Sequence, residues 1–224
     1  MAALAQATLV PPPFPGNAAR GDGQPVIVIP GFLAPDMSTA RLREFLERQG
    51  FKPSSWTCGF NIGPMPHVVR EVERQVRDLA QVSGRSVALV GISLGGTTAR
   101  EVAKSCPGCI ARVITLVSPI HLPVVTPLAP LAEAASLLWD RTALESLQAI
   151  AEPPPVPVTA IVSRDDGIID WRASVPAPSE RVEMVEVCGP HMSICTNPEV
   201  QRIVADRLAR HSFGGSAPRT LERI

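Results

Sequence analysis

A serine lies between glycines at the point where a predicted strand gives way to a predicted helix. Residues 87–96 read VALVGISLGG, so Ser93 is the central residue of a G-x-S-x-G pattern. In this strand-to-helix context the pattern is typical of a nucleophilic serine. The glycines permit a sharp turn and leave room for the backbone on both sides of the serine. The sequence therefore predicts that Ser93 is a nucleophile at the N-terminus of a helix.

A glycine-rich turn that opens a helix can instead bind a phosphate. The sequence has no G-x-x-x-x-G-K-[ST] motif, and its glycines do not have the G-x-G-x-x-G spacing of dinucleotide-binding folds. The nucleophile is therefore the favoured interpretation of Ser93.

A serine hydroxyl becomes a good nucleophile when a histidine takes its proton and a carboxylate orients that histidine. With this serine motif the expected chain order is serine, acid, histidine. Of the four histidines, only His191 lies on a short loop directly after a predicted strand. His67 opens a predicted helix, His121 lies in a proline-rich stretch and His211 ends a helix. We therefore predict that His191 is the general base.

Three aspartates compete for the role of the acid. Asp165, Asp166 and Asp170 all follow the predicted strand that ends at Val162, within the segment SRDDGIID. Each of them could instead only shape the turn, because Asp-Gly is a strong turn signal. Their spacing leaves the choice among them open.

Buried strands alternate with amphipathic helices along residues 25–211. Continuous apolar runs predict strands, and apolar residues at spacings of three and four predict helices. The predicted strands are 25–30, 86–90, 113–117, 156–162 and 181–187, and the predicted helices are 38–49, 67–80, 95–105 and one with Asn197 as N-cap and Pro198 in its first turn. This alternation predicts an α/β fold with an open, mostly parallel sheet and helices on both faces. Ligands bind such sheets at the carboxyl ends of the strands, which is where the candidate residues fall.

The rest of the chain divides into a lid and two tails. Prolines bracket one apolar helical stretch within residues 119–155, and we interpret this segment as a lid or cap insertion. Its apolar side chains either line a substrate pocket or only fill the space between the lid and the sheet. Residues 1–24 are predicted to form a flexible, proline-rich tail, and residues 212–224 a flexible C-terminal tail.

Composition and charge narrow the classes of partner. The chain has 224 residues, of which 45% are hydrophobic, and this is enough for one domain with one core. The chain has 21 basic residues (Lys and Arg) and 21 acidic residues (Asp and Glu), so its formal net charge is zero. We therefore expect a neutral or apolar small molecule, not a nucleic acid or an anionic membrane, as the main partner. The sequence contains no apolar run of about 18 residues, so no membrane-spanning helix is predicted. A cytoplasmic location is expected, although a mature secreted chain would have the same features.

The five cysteines do not indicate a metal or redox cofactor. Cys106 and Cys109 form a C-x-x-C pair, but no second pair or histidine cluster has the spacing of metal ligands. No metal or cofactor is therefore predicted. Cys188 and Cys195 lie on either side of His191 and are a candidate disulfide in an oxidising compartment.

Four segments resemble the α/β-hydrolase superfamily, and more closely its small bacterial esterases and triacylglycerol-lipase-like members. They are PGFL after the first strand, the GISLGG turn, SRDDGIIDW after a later strand and GPHMSICTNPEV near the end, and they are spread over most of residues 25–211. In that family the acid is usually the aspartate of a D-x-[IV]-[IV] pattern, which matches Asp166. The resemblance also implies an oxyanion hole formed by the backbone N–H groups of Phe32 and Leu94. The family often has His-Gly where this chain has Pro30-Gly31, so a side chain that commonly braces the oxyanion loop is missing.

The resemblance implies a serine hydrolase, an esterase or lipase, that cleaves apolar carboxylic esters through Ser93, His191 and Asp166 and an acyl-enzyme intermediate. Acyl transfer or thioester hydrolysis by the same three residues is an alternative. A non-catalytic binding module that keeps the fold is another, and the presence of serine, acid and base at positions after strands counts against it. The acyl-chain length and the oligomeric state have no signature in the sequence.

Overall fold

Among the described residues, six parallel strands form one open sheet. The structure is a computed structural model, and it describes residues 13–121, 126–127, 130 and 150–210. The strands are β1 (Pro25–Ile29), β2 (Lys52–Ser54), β3 (Val87–Ile92), β4 (Ile110–Leu116), β5 (Val158–Ser163) and β6 (Val182–Val187), in the order β2-β1-β3-β4-β5-β6. All neighbouring pairs are parallel. The predicted open, parallel sheet is confirmed, and the carboxyl ends of its strands meet at one edge.

Helices cover both faces of the sheet, as the alternating pattern predicts. In the described part of the chain they are α1 (Ala40–Arg48), α2 (Pro66–Ser83), α3 (Leu94–Ser105) and α4 (Pro198–Ala209), and none of these is long and apolar enough to cross a membrane. Apolar residues of α1 and α4 form one buried cluster with the sheet, and those of α2 and α3 form a second one. Val26 and Ile27, neighbours on β1, belong to opposite clusters. Because both faces of the strand are buried, its sequence is continuously apolar.

Strand β2 is absent from the sequence prediction. It has only three residues, and one of them is Pro53. It lies at the edge of the sheet beside β1, where proline is tolerated because one side of the strand needs no partner. A short, polar edge strand lacks the apolar run that predicts the other five. The bounds of those five differ from the predicted ones by up to three residues.

Part of the predicted N-terminal tail is attached to the domain. Phe14 packs against the ring of Phe45 on α1, with 5.7 Å between the ring centroids. The N–H of Gly21 donates to the carbonyl oxygen of Gln49 at 2.8 Å. Residues 13–24 therefore contact the domain where a flexible tail is predicted, because Phe14 offers apolar surface that α1 buries. Residues 1–12 and 212–224, and most of the predicted lid at 119–155, lie outside the described residues.

Candidate active site

Ser93 occupies the turn between β3 and α3. Its backbone has φ 52° and ψ −126°, a conformation that residues with side chains rarely adopt and that costs about 1–3 kcal/mol. The N–H of Ser93 donates to the carbonyl oxygen of Leu116 at 2.8 Å, which holds the turn against β4. The residue is 7% exposed. Ser93 is therefore the N-cap of α3, in the strained turn that the G-x-S-x-G pattern predicts.

Glycines beside Ser93 let α3 approach the sheet closely. A Cβ atom at Gly95 would lie 2.4 Å from the carbonyl oxygen of Ile29 on β1. A Cβ atom at Gly96 would lie 2.0 Å from Ser118 Oγ. Both distances are far below van der Waals contact, so a side chain at either position would force α3 away from the sheet.

Gly95→Ala is expected to lower the free energy of unfolding by about 3 kcal/mol, because backbone atoms that cannot rotate away occupy the space of the new methyl group. Gly108→Ala is the matched control, since nothing lies within 4 Å of a Cβ atom there, and its expected effect is within about 0.5 kcal/mol. Urea unfolding followed by circular dichroism measures both. Equal unfolding midpoints for the two variants would contradict the close packing of α3.

Asp166 and His191 form a buried pair. His191 Nδ1 lies 2.7 Å from Asp166 Oδ2, and the two residues are 8% and 3% exposed. The N–H groups of Ile168 and Ile169 both donate to Asp166 Oδ1, at 2.9 and 2.6 Å, so the turn that carries the carboxylate also fixes its orientation. In the tautomer with a proton on Nδ1, His191 donates to the carboxylate and keeps Nε2 as a proton acceptor.

The other two candidate acids make different contacts. Asp165 is exposed, and its Oδ2 accepts the N–H of Gly189 at 3.2 Å. Asp170 Oδ1 accepts the N–H of Arg172 at 3.0 Å and so caps a short 3-10 helix. Among the described residues, Asp166 is the carboxylate that contacts His191.

Ser163 joins the loop of the acid to the loop of the histidine, and the sequence did not predict this role. It is buried at the end of β5, and its Oγ donates to the carbonyl oxygen of Gly189 at 2.6 Å. The N–H of His191 donates to the carbonyl oxygen of Asp166 at 3.0 Å. These bonds hold the two loops together independently of the side-chain pair. The position of Ser163 at a strand end, beside the candidate acids, is the one signal in the sequence that could have found it.

Ser93, Asp166 and His191 all lie beyond the carboxyl ends of strands. They follow β3, β5 and β6, which run in the same direction, so all three lie at the same edge of the sheet. Among the described residues, the acid and the histidine are in direct contact, whereas no hydrogen bond joins Ser93 Oγ to His191. In structures without substrate this bond is often long, and it tightens when the substrate binds.

The loop that follows β1, residues 30–34, lies against Ser93. A Cβ atom at Gly31 would be 3.4 Å from Ser93 Cβ, which is ordinary van der Waals contact. Leu33 in the same loop has φ 52°, a second strained conformation at this edge of the sheet. The backbone of this loop is therefore within reach of a group bonded to the serine.

The two predicted oxyanion donors have no partner within the described residues. The N–H groups of Leu33 and Ala34 donate to backbone carbonyl oxygens, at 2.8 and 3.1 Å. The N–H groups of Phe32 and Leu94 donate to no acceptor in the described part of the chain.

The cysteines are free thiols in this structure. Cys188 is exposed and Cys195 is partly buried, and no disulfide joins them across His191. Burial raises the pKa of the Cys195 thiol and also that of Cys106 in the C-x-x-C pair. A thiol with a raised pKa is a weaker nucleophile and a weaker metal ligand, because the thiolate is the reactive form.

A cavity of about 580 Å³ lies at the opposite edge of the sheet. Its lining includes Gln24, Ser86, Arg112 and Arg181, which lie at or beside the amino ends of β1, β3, β4 and β6. None of the predicted site residues lines it. This cavity is therefore separate from the candidate active site.

Solved structures with a similar fold include several hydrolases, whereas no protein-family model and no curated protein sequence matches the chain. A monoacylglycerol lipase of Paleococcus ferrophilus is 17% identical with a TM-score of 0.62, and the match covers 87% of this chain and 97% of that one. Lipase B of Aspergillus fumigatus is 18% identical with a TM-score of 0.68; here the match covers 88% of this chain but 56% of the lipase. A pyrethroid hydrolase of Sphingobium faniae is 19% identical with a TM-score of 0.56, with 83% and 97% covered. At these identities the likeness establishes the fold.

Proposed function

We propose that this chain, which has the α/β-hydrolase fold, is a serine hydrolase that cleaves carboxylic esters through Ser93, His191 and Asp166. The observation that carries the proposal is the buried contact of 2.7 Å between His191 Nδ1 and Asp166 Oδ2, at the same sheet edge as the strained Ser93. A serine, a histidine and a carboxylate that orients the histidine are the groups that acyl transfer to a serine requires. The structural neighbours, which are lipases and a pyrethroid hydrolase, support the same class of reaction.

In the first half of the proposed reaction Ser93 Oγ attacks the acyl carbon of the ester. His191 Nε2 accepts the hydroxyl proton, and Asp166 stabilises the imidazolium and keeps the ring in place. The negative charge that develops on the acyl oxygen is stabilised by the N–H groups of Phe32 and Leu94. Each well-placed donor contributes about 3 kcal/mol to the stability of such a transition state.

In the second half His191 gives its proton to the departing alcohol, and the acyl group remains on Ser93. A water molecule then loses its proton to His191 and attacks the acyl-enzyme. The same two N–H groups stabilise the second oxyanion. As the bond between the acyl carbon and Ser93 Oγ breaks, His191 returns the proton to Oγ, and release of the carboxylic acid restores the free enzyme.

Exposed apolar side chains support an apolar substrate. Within the described residues, the exposed large hydrophobic residues are Leu33, Met37, Phe60, Met192 and Val82. The first four lie on segments that leave the carboxyl ends of β1, β2 and β6, whereas Val82 lies at the end of α2, before β3. Apolar surface is thus concentrated at the edge where Ser93 lies, and it favours an acyl chain as the bound group.

The rate of hydrolysis of p-nitrophenyl esters is expected to rise with acyl-chain length. Each methylene that becomes buried contributes about 0.8 kcal/mol, so kcat/KM should rise about fourfold per methylene until the chain outgrows its pocket. Initial rates over a series from acetate upward measure this, with Ser93→Ala as the blank. A rate that is highest for acetate and falls with each added methylene would contradict an apolar acyl pocket.

Product analysis separates hydrolysis from acyl transfer. In the presence of a simple alcohol, the proposed hydrolase should release mainly the free acid, because water deacylates the enzyme. A new ester as the dominant product would instead identify an acyltransferase. Mass spectrometry of the products distinguishes the two outcomes.

A further inference from the structure

We propose that Asn61 is the positioning residue of the oxyanion loop, and that it holds residues 30–34 so that the N–H of Phe32 faces the reacting oxygen. The inference rests on the proposed function, because it assumes that Ser93 attacks a carbonyl group beside this loop. Residues 30–34 read PGFLA and contain no polar side chain. No side chain of the loop itself can therefore form a hydrogen bond that holds it against the rest of the domain.

Asn61 bonds to both ends of the loop. Its Nδ2 donates to the carbonyl oxygen of Pro30 at 2.7 Å. Its backbone carbonyl oxygen accepts the N–H of Leu33 at 2.8 Å, and its backbone N–H donates to the carbonyl oxygen of Ala34 at 3.3 Å. One residue thus fixes the loop at three points. The N–H of Phe32 lies between these points and, among the described residues, is left without an acceptor.

The side chain of Asn61 is buried and its polar atoms are paired. The residue is 0% exposed, and its Oδ1 accepts the N–H of Gly63 at 3.0 Å. A buried amide is stable only when its groups find partners, and here the nitrogen bonds to one segment and the oxygen to another. The amide donates to Pro30 and accepts from Gly63 at the same time. Aspartate lacks the donor, and leucine lacks both groups.

The loop needs this support because its backbone is strained. Leu33 has φ 52°, which a branched side chain adopts only when the surroundings impose it. A Cβ atom at Gly31 would lie only 3.4 Å from Ser93 Cβ, so a shift of the loop changes the position of the Phe32 N–H relative to the serine. Without the bond to Pro30 the start of the loop is free to relax, and a relaxed loop places this donor poorly.

The kinetics of Asn61→Leu test the proposal. The oxyanion exists only in the transition state, so kcat should fall about 10- to 100-fold while KM for a p-nitrophenyl ester stays within about twofold. The Ki of an alkyl trifluoromethyl ketone, whose adduct with Ser93 carries an oxyanion, should rise by a factor similar to the fall in kcat. If Asn61 had only a structural role, the substitution would lower the free energy of unfolding, but the rise in Ki would not match the fall in kcat.

Asn61→Asp is the second variant, because it keeps the size of the side chain and the acceptor for Gly63. It loses the donor to Pro30 and places an oxygen there instead, so kcat should fall at least as far as in Asn61→Leu. Thr159→Val is the matched control: it replaces a buried polar side chain on β5 by one of the same shape and should keep kcat. Urea unfolding shows that each variant is folded at the assay temperature.

The outcomes separate this inference from the proposed function. If Ser93→Ala keeps wild-type turnover, the proposed function fails. If Ser93→Ala is inactive and both Asn61 variants keep wild-type kcat and Ki, the proposed function stands and the role of Asn61 is overturned. A fall in kcat in both Asn61 variants with a matched rise in Ki, and none in Thr159→Val, supports the proposal.

Discussion

Ser93→Ala is expected to lower ester turnover by about 10⁴- to 10⁶-fold, and His191→Ala by a similar factor. The alanine variant has no oxygen to form the acyl-enzyme, and without the imidazole the serine keeps its proton. The residual rate is expected to come from the proposed oxyanion donors and from substrate binding, which remain in both variants. Initial rates with a p-nitrophenyl ester, at equal concentrations of folded protein, measure the loss.

Ser193→Ala is the matched control for the serine. Ser193 is exposed two residues after His191, and its Oγ makes a long hydrogen bond of 3.4 Å to Pro190. Turnover should stay within about twofold of the wild type, as for most exposed substitutions. A fluorophosphonate probe should label the wild type and Ser193→Ala but not Ser93→Ala. Equal labelling of all three proteins would show that Ser93 is not the nucleophile.

Asp166→Asn is expected to lower turnover by about 10⁴-fold while the fold is kept. The amide has the same shape as the carboxylate, but it cannot stabilise the imidazolium. Because Asp166 Oδ1 accepts two backbone N–H groups at 2.9 and 2.6 Å, the amide oxygen should take that place and turn its NH₂ group toward His191. The histidine then holds its proton on Nε2, where it can no longer accept one from Ser93.

The neighbouring aspartates provide the controls for this prediction. Asp165→Asn and Asp170→Asn should each lower turnover by no more than about 10-fold, because neither carboxylate contacts His191. Side-by-side kcat values for the three variants are the measurement. If Asp165→Asn lowers turnover as much as Asp166→Asn does, the assignment of Asp166 as the acid is wrong.

The strands and helices were predictable where burial is continuous or periodic. The central strands are apolar on both faces, and the amphipathic helices carry apolar residues at spacings of three and four, so both leave a pattern in the sequence. Asn197 also matched its prediction, since its side chain accepts the N–H of Glu199 at 2.9 Å at the start of α4. Strand β2 was not predicted, because this short edge strand contains Pro53 and has no apolar pattern.

The supporting residues of the site were not predictable in the same way. Ser93, the proposed nucleophile, lies in a local motif, whereas Ser163 and Asn61 form hydrogen bonds to backbone atoms 26 and 31 residues away. Such a bond depends on where two loops meet in the fold. Because every residue has a backbone carbonyl oxygen, the sequence does not show which residue is the acceptor. For Asn61 the faint signal is a lone amide in the segment GFNIGPMP, where the other residues are apolar, glycine or proline.

The tight fit of α3 against the sheet bears on how new specificities could evolve. Since the glycines at 95 and 96 leave no free space between helix and strands, Ser93, the proposed nucleophile, is held close to the sheet. Differences in acyl preference must then come from the segments that leave β1, β2 and β6, which carry exposed apolar side chains. A mutant library confined to Leu33, Met37, Phe60 and Met192 should therefore yield catalysts with altered acyl preference, whereas one that includes the glycines should yield mostly unfolded protein.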